Sequence, residues 1–121
     1  MILRKLPEPL AVCRLAGVGD APLDAGFFAL VRTADEVSLV CPTDRVPSNA
    51  TARDDGWRAF GVQGPLDFSL VGILADLTAI LRDAGVPVFA VSTYGTDYIL
   101  VKQGDLARAE AALAAVGHTV L

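Results

Sequence analysis

Apolar residues recur at three- and four-residue spacing over DFSLVGILADLTAILRDAG, residues 67–85, where Val71, Leu74, Leu77 and Leu81 would share one face of a helix. Asp67 stands where an N-cap belongs, Gly85 where a helix stops, and Pro87 blocks continuation, so the spacing predicts about four turns. The Ala, Leu, Arg and Glu content of DLARAEAALAAVG, residues 105–117, predicts a second helix that Gly117 ends. The other apolar residues come in short runs rich in β-branched and aromatic types: WRAFGVQ, VPVFAVS, TDYILVK and the final HTVL. TYG reads as the tip of a hairpin between the middle two, which makes the order from residue 57 onward βαββαβ. With helices on one face of an antiparallel sheet, that order predicts an α+β, ferredoxin-like unit.

The pattern occurs twice. Shifted by 61 positions, FALVRTADEVSLVCPTD (Phe28 to Asp44) lies over FAVSTYGTDYILVKQGD (Phe89 to Asp105) without a gap, and five of the 17 positions are identical. Glu36 then faces Asp97, and Gly56 falls on Gly117. A period of this length marks a duplicated structural unit. The first copy is reduced: between LAVCRL (Leu10 to Leu15) and FFALVRT lies only AGVGDAPLDAG, too short and too rich in Gly and Pro for a long first helix. Its hairpin, FFALVRT to VSLVC, is retained, and VPSNATARDD is expected to form a short second helix with Pro47 near its first turn. The strand at Trp57 to Val62 is expected to close one copy and open the other, dividing the chain into residues 1–61 and 62–121.

Composition narrows the function. At 121 residues the chain fits one domain or two very small units that share a core. Its net charge of -4 gives no footing for nucleic acid, whose phosphates require a basic surface. No run approaches the roughly 18 apolar residues of a membrane span, and Arg4, Lys5, Glu8 and Arg14 interrupt any leader-like core, so the cytoplasm is the expected setting. Cys13 and Cys41 lie far apart in strand-like runs and read as buried free thiols.

Familiar catalytic patterns are missing. The one histidine, His118, has no partners for an acyl-transfer triad, and GVGDAP has two glycines of a dinucleotide fingerprint but neither the third nor a following helix. One His and two scattered Cys do not make a structural zinc site. No cofactor, metal or catalytic residue is expected. The remaining chemistry is in the turn STYGTD, where a carboxylate, Asp97, follows a Gly-bearing tip. Gly95 can take a positive φ there, and Thr93, Thr96 and the local amides can donate to a carboxylate. Asp97 can receive an ammonium or guanidinium group. The competing local reading is that Asp97 and Thr96 only bond the turn's own amides.

The run VFAVSTYGTDYILV, after a helix with Gly72 near its start, resembles the ACT domains, especially small bacterial ACT proteins and the CASTOR arginine sensors. The pattern is Ser92, Thr93, an aromatic at Tyr94, then Asp97, an aromatic at Tyr98, and Leu100-Val101. The similarity is good over about residues 62–121, and VSLVCPTDRVP resembles the more divergent unit that precedes this domain in the bacterial proteins. The resemblance implies a ferredoxin-like fold and a non-enzymatic regulator binding an amino acid where two ACT units meet. It carries Asp97, Thr93, Tyr94, Gly95 and Thr96 over as ligand contacts, with Gly72 and Ile73 where a ligand approaches the helix backbone. An arginine pocket would add acidity soon after that glycine, but Ala75 stands there and only Asp76 follows, which leaves neutral and aromatic amino acids as equal candidates. A composite site implies a homodimer, and a regulator without an output segment implies a protein partner. The alternative from another class is a dimerisation or docking module with a vestigial pocket.

Overall fold

The computed structural model of the protein describes residues 1–63 and 72–121. Its elements are β1 (Ile2–Lys5), β2 (Leu10–Leu15), β3 (Ala29–Arg32), β4 (Val37–Pro42), β5 (Ala50–Val62), α1 (Ile73–Asp83), β6 (Phe89–Ser92), β7 (Asp97–Lys102), α2 (Leu106–Ala115) and β8 (Thr119–Val120). They form two compact units, one of residues 1–7 and 58–121, the other of residues 8–57.

In the larger unit the predicted βαββαβ order is present, from the end of β5 to β8. Its strands run β6-β7-β5-β1-β8. β1, antiparallel to β5 and parallel to β8, is inserted where the last strand of a βαββαβ unit would otherwise meet the first. That insertion was not anticipated, because ILRK is short and half charged. Pairing supplies what its composition lacks: Gln63 N–H donates to Ile2 O at 2.9 Å and Leu121 N–H to Leu3 O at 2.8 Å. The core joins Leu3, Phe60, Val62, Ile99 and Val101 of the sheet to Leu77, Leu81, Ala109 and Leu113 of the helices. A fully buried leucine such as Leu77, Leu81 or Leu113 contributes about 1.5–3 kcal/mol.

Both helices stop by the same device. After α1, Gly85 takes φ +74° and Val86 N–H reaches back to Leu81 O at 2.9 Å. After α2, Gly117 takes φ +95° and His118 N–H reaches Leu113 O at 3.2 Å. In each case a left-handed glycine lets the chain satisfy orphan carbonyls of the last turn. The start of α1 differs from expectation. Gly72 at φ +84° precedes it, and the 11 residues from Ile73 make three turns rather than four. The expected cap Asp67 and the apolar Val71 lie outside the described residues.

The smaller unit is an antiparallel sheet in the order β3-β4-β2-β5, with Ala11, Cys13, Leu15, Leu39 and Cys41 buried together. The short helix expected over residues 46–55 is not formed. Chain from Ala50 onward is strand, pairing Ala52 with Arg14 and Arg53 with Cys13, while Arg53 Nε donates to Asp55 Oδ1 at 3.0 Å. Pairing with β2 overrides the weak local preference of a polar stretch. Gly56 is not a helix stop like Gly117. It sits at φ +84° in a β-bulge, where the register shifts between Leu10 paired with Trp57 and Val12 paired with Asp54.

The two hairpins are structural copies of one another, in a register that differs by one residue from the shift of 61. Ala29 pairs with Val40 as Phe89 pairs with Leu100, a shift of 60. Each hairpin turns on a threonine. Thr33 N–H donates to Glu36 O at 2.9 Å, Thr93 N–H to Thr96 O at 2.8 Å, and each threonine hydroxyl also accepts from the closing amide at 3.2 Å. One-turn 3₁₀ segments, Thr43–Arg45 and Gln103–Asp105, follow at the same shift. Glu36 therefore corresponds to Thr96, and Asp97 corresponds to Val37.

Candidate functional site

Strand β7 divides the predicted site residues between its two faces. Ile99 and Val101 belong to the core beneath the helices, so alternation puts Asp97 on that face and Thr96 and Tyr98 on the other. Ser92, paired with Asp97 across the hairpin, donates its hydroxyl to Asp97 Oδ1 at 2.6 Å. Among the described residues, Asp97 has no ion-pair partner. The turn's own amides are served by Thr93, whose Oγ1 accepts from Thr96 N–H and donates to Thr96 O at 3.1 Å. Thr96 instead donates to Val62 O at 2.6 Å, tying the hairpin to the end of β5. The half-buried Asp97 carboxylate is thus not consumed in closing the turn.

The tip itself is open. Tyr94 is 88% exposed. Gly95 does not take the positive φ that a tight tip was expected to need, since threonine capping closes the turn without it. Gly72 and Ile73 lie at the N-terminus of α1, with Asp76 N–H donating to Gly72 O at 2.8 Å. No described hydrogen bond joins them to the hairpin. Ala75 and Asp76, next along α1, are both exposed.

On the opposite sheet face, a cavity of about 400 Å³ has Arg4, Leu6, Gly61, Gln63, Gly95, Thr96 and Tyr98 in its lining. Neither Gly61 nor Arg4 was singled out from the sequence. The available signal was a glycine inside an apolar strand, which marks close approach of another group: a Cβ on Gly61 would lie 2.9 Å from Tyr98 Cε1. A wider groove of about 660 Å³ runs beside α1, but Thr78 there donates to Leu74 O and Arg82 to Asp83, so its polar groups are engaged. His118 Nδ1 accepts from the amino terminus of Met1 at 2.9 Å. Its pKa is lowered by burial first and by that positive charge second, with Asp76 opposing. Among the described residues no three His, Cys, Asp or Glu side chains converge to hold a metal, and no helix is long and apolar enough to cross a membrane.

A family model of the ACT domain matches residues 52–115, more than half of the chain. The chain belongs to the ACT domain family. A second model, of an N-terminal domain, matches residues 8–49, nearly the span of the smaller unit. Among solved structures, this ACT protein is similar to Atu0741 from Agobacterium tumefaciens, at 36% identity and a TM-score of 0.86 over 99% of this chain and 91% of that one. VC0802 from Vibrio cholerae, described as a protein of unknown function and possible transport protein, shares the fold at 17% identity and TM-score 0.73, over 92% of this chain and 85% of that one. The aspartate kinase of Clostridium acetobutylicum, described as an allosteric enzyme, shares it at 13% identity and TM-score 0.68, over 93% of this chain and 33% of the kinase. No curated protein matches at the level of sequence. ACT domains are non-catalytic regulatory modules, so membership of the family carries no expectation of an active centre.

Proposed function

We propose that this ACT protein is a cytoplasmic, non-enzymatic regulator that binds a free amino acid where two ACT units meet, the second unit being supplied by another copy of the chain. Asp97 receives the ligand's ammonium group, beside Thr93, Tyr94, Gly95 and Thr96 of the hairpin. Gly72 and Ile73 present the start of α1 to its carboxylate. The observation that carries this reading is the state of Asp97: a half-buried carboxylate whose described partner is one neutral hydroxyl, Ser92, at 2.6 Å. A neutral donor leaves the negative charge uncompensated, and an ammonium there forms a charge-assisted hydrogen bond worth about 1.5–3 kcal/mol. Ligand binding would shift the association of copies, and a partner protein would read that shift.

Thermal unfolding against each of the twenty amino acids tests the reading, for the wild type and for Asp97→Ala. A ligand at about 100 times its Kd adds about 2.7 kcal/mol, a rise of several degrees at this chain length. One or a few amino acids should raise the midpoint of the wild type and not of Asp97→Ala. A dimerisation module with a vestigial pocket would respond to none.

A further inference from the structure

The open-face cavity of the larger unit has a chemistry of its own. Its floor is bare backbone at Gly61, with the Tyr98 ring laid against it so closely that no Cβ would fit between. Leu6 and Val62 contribute apolar side chains to the lining, and Arg4 and Gln63 polar ones. Among the described residues of the lining, Arg4 is the one charged group and no carboxylate accompanies it. Among the described residues, the Arg4 side chain makes no hydrogen bond or ion pair. Its neighbours on the sheet are otherwise engaged: Lys5, on the helix face, pairs with Glu110 at 2.6 Å, and Arg58 donates to Gln103 and to Leu6 O. A volume of about 400 Å³ lies near the lower end of small-molecule sites, about 300–1,000 Å³, which fits a small metabolite better than a nucleotide cofactor.

We propose that this cavity is a second ligand site, for a small carboxylate with a flat apolar body and no ammonium group, held by Arg4 against the Tyr98 ring. A planar guanidinium matches a carboxylate in a bidentate pair. The ring and Leu6 cover the apolar body, and an ammonium group would find no counter-charge among the described residues of the lining. The cavity shares Gly95 and Thr96 with the hairpin proposed above to hold an amino acid, but not Asp97, which faces the other side of β7 and has the opposite charge.

The test is an amide ¹H–¹⁵N NMR titration of the full chain with phenylacetate and, as its charge-inverted counterpart, benzylamine. Phenylacetate should shift the amides of Gly61, Gly95 and Tyr98 saturably, and benzylamine should not. Arg4→Gln should weaken phenylacetate by about tenfold or more, the loss expected of one charge-assisted bond. Asp97→Ala should bind it as the wild type does. Absence of saturable shifts at those amides, equal shifts from benzylamine, or unchanged affinity in Arg4→Gln would each overturn the proposal. The comparison of the two probes on the wild type stands even if a variant does not fold.

Discussion

Replacing Gly61 by alanine puts one methyl group where the structure has no room. The new Cβ would lie 2.9 Å from Tyr98 Cε1 and 3.3 Å from Cδ1, so either the ring or strand β5 must move. Overpacking of this kind costs about 1–3 kcal/mol. Against it stands a gain of about 0.4–1 kcal/mol, because alanine restricts the unfolded chain more than glycine does. The strain wins, and Gly61→Ala should destabilise by about 1–2 kcal/mol net, read as a lower urea midpoint at unchanged slope by circular dichroism. With the ring removed in Tyr98→Ala, only the entropic gain remains. Gly61→Ala should then be neutral or stabilising by up to about 1 kcal/mol. The reversal of sign between backgrounds is the signature of direct contact. Equal destabilisation in both backgrounds, or stabilisation of the wild type, would refute the packing of Tyr98 on Gly61.

Other consequences follow from single contacts. Thr33→Val and Thr93→Val each remove a turn-closing hydroxyl, and each should cost about 1 kcal/mol, with faster hydrogen exchange confined to the amides of Asp35 and Glu36 in the first and of Thr96 in the second. Gly72→Ala, at φ +84°, should lower the thermal midpoint by the equivalent of about 1 kcal/mol or more, whereas Gly104→Ala, with open space around its Cβ and no positive φ, should leave it unchanged or raised. Burial pushes the Cys41 thiol up to about 11, with Cys13 nearby adding to the effect. The native state thus holds that proton more tightly than the unfolded chain, whose thiol titrates near 9.0. Stability should be at its full value below pH 9 and fall as the pH rises from 9 towards 11. Cys41→Ala should flatten that slope in urea titrations.

The hairpins and both helices were legible because several signals agreed at each. Leu77 and Leu81 repeat at helical spacing, and Gly85 and Gly117 mark stops that positive φ explains. What failed was register. Leu39, Val40 and Cys41, like Ile99, Leu100 and Val101, are buried on both strand faces, so sliding one copy by a residue still lays apolar on apolar. Five identities favoured a shift of 61, while the hydrogen bonds of Thr33 and Thr93 set it at 60. The β1 strand and the polar first half of β5 have little strand character alone, and only their pairing with distant segments makes them strands. At the site, the pairing of Ser92 with Asp97 could have been read from the four-residue loop between them. The cavity of Arg4 and Tyr98 could not, because it depends on an insertion of β1 that no local pattern announces.

The most direct test of the regulatory account is to map where an amino acid binds. An amide NMR titration of the wild type with each of the twenty should produce saturable shifts for one or a few, centred on Ser92, Asp97, Gly72 and Ile73 and absent in Asp97→Ala. No saturable shift from any of them, or shifts that persist unchanged in Asp97→Ala, would contradict the central claim.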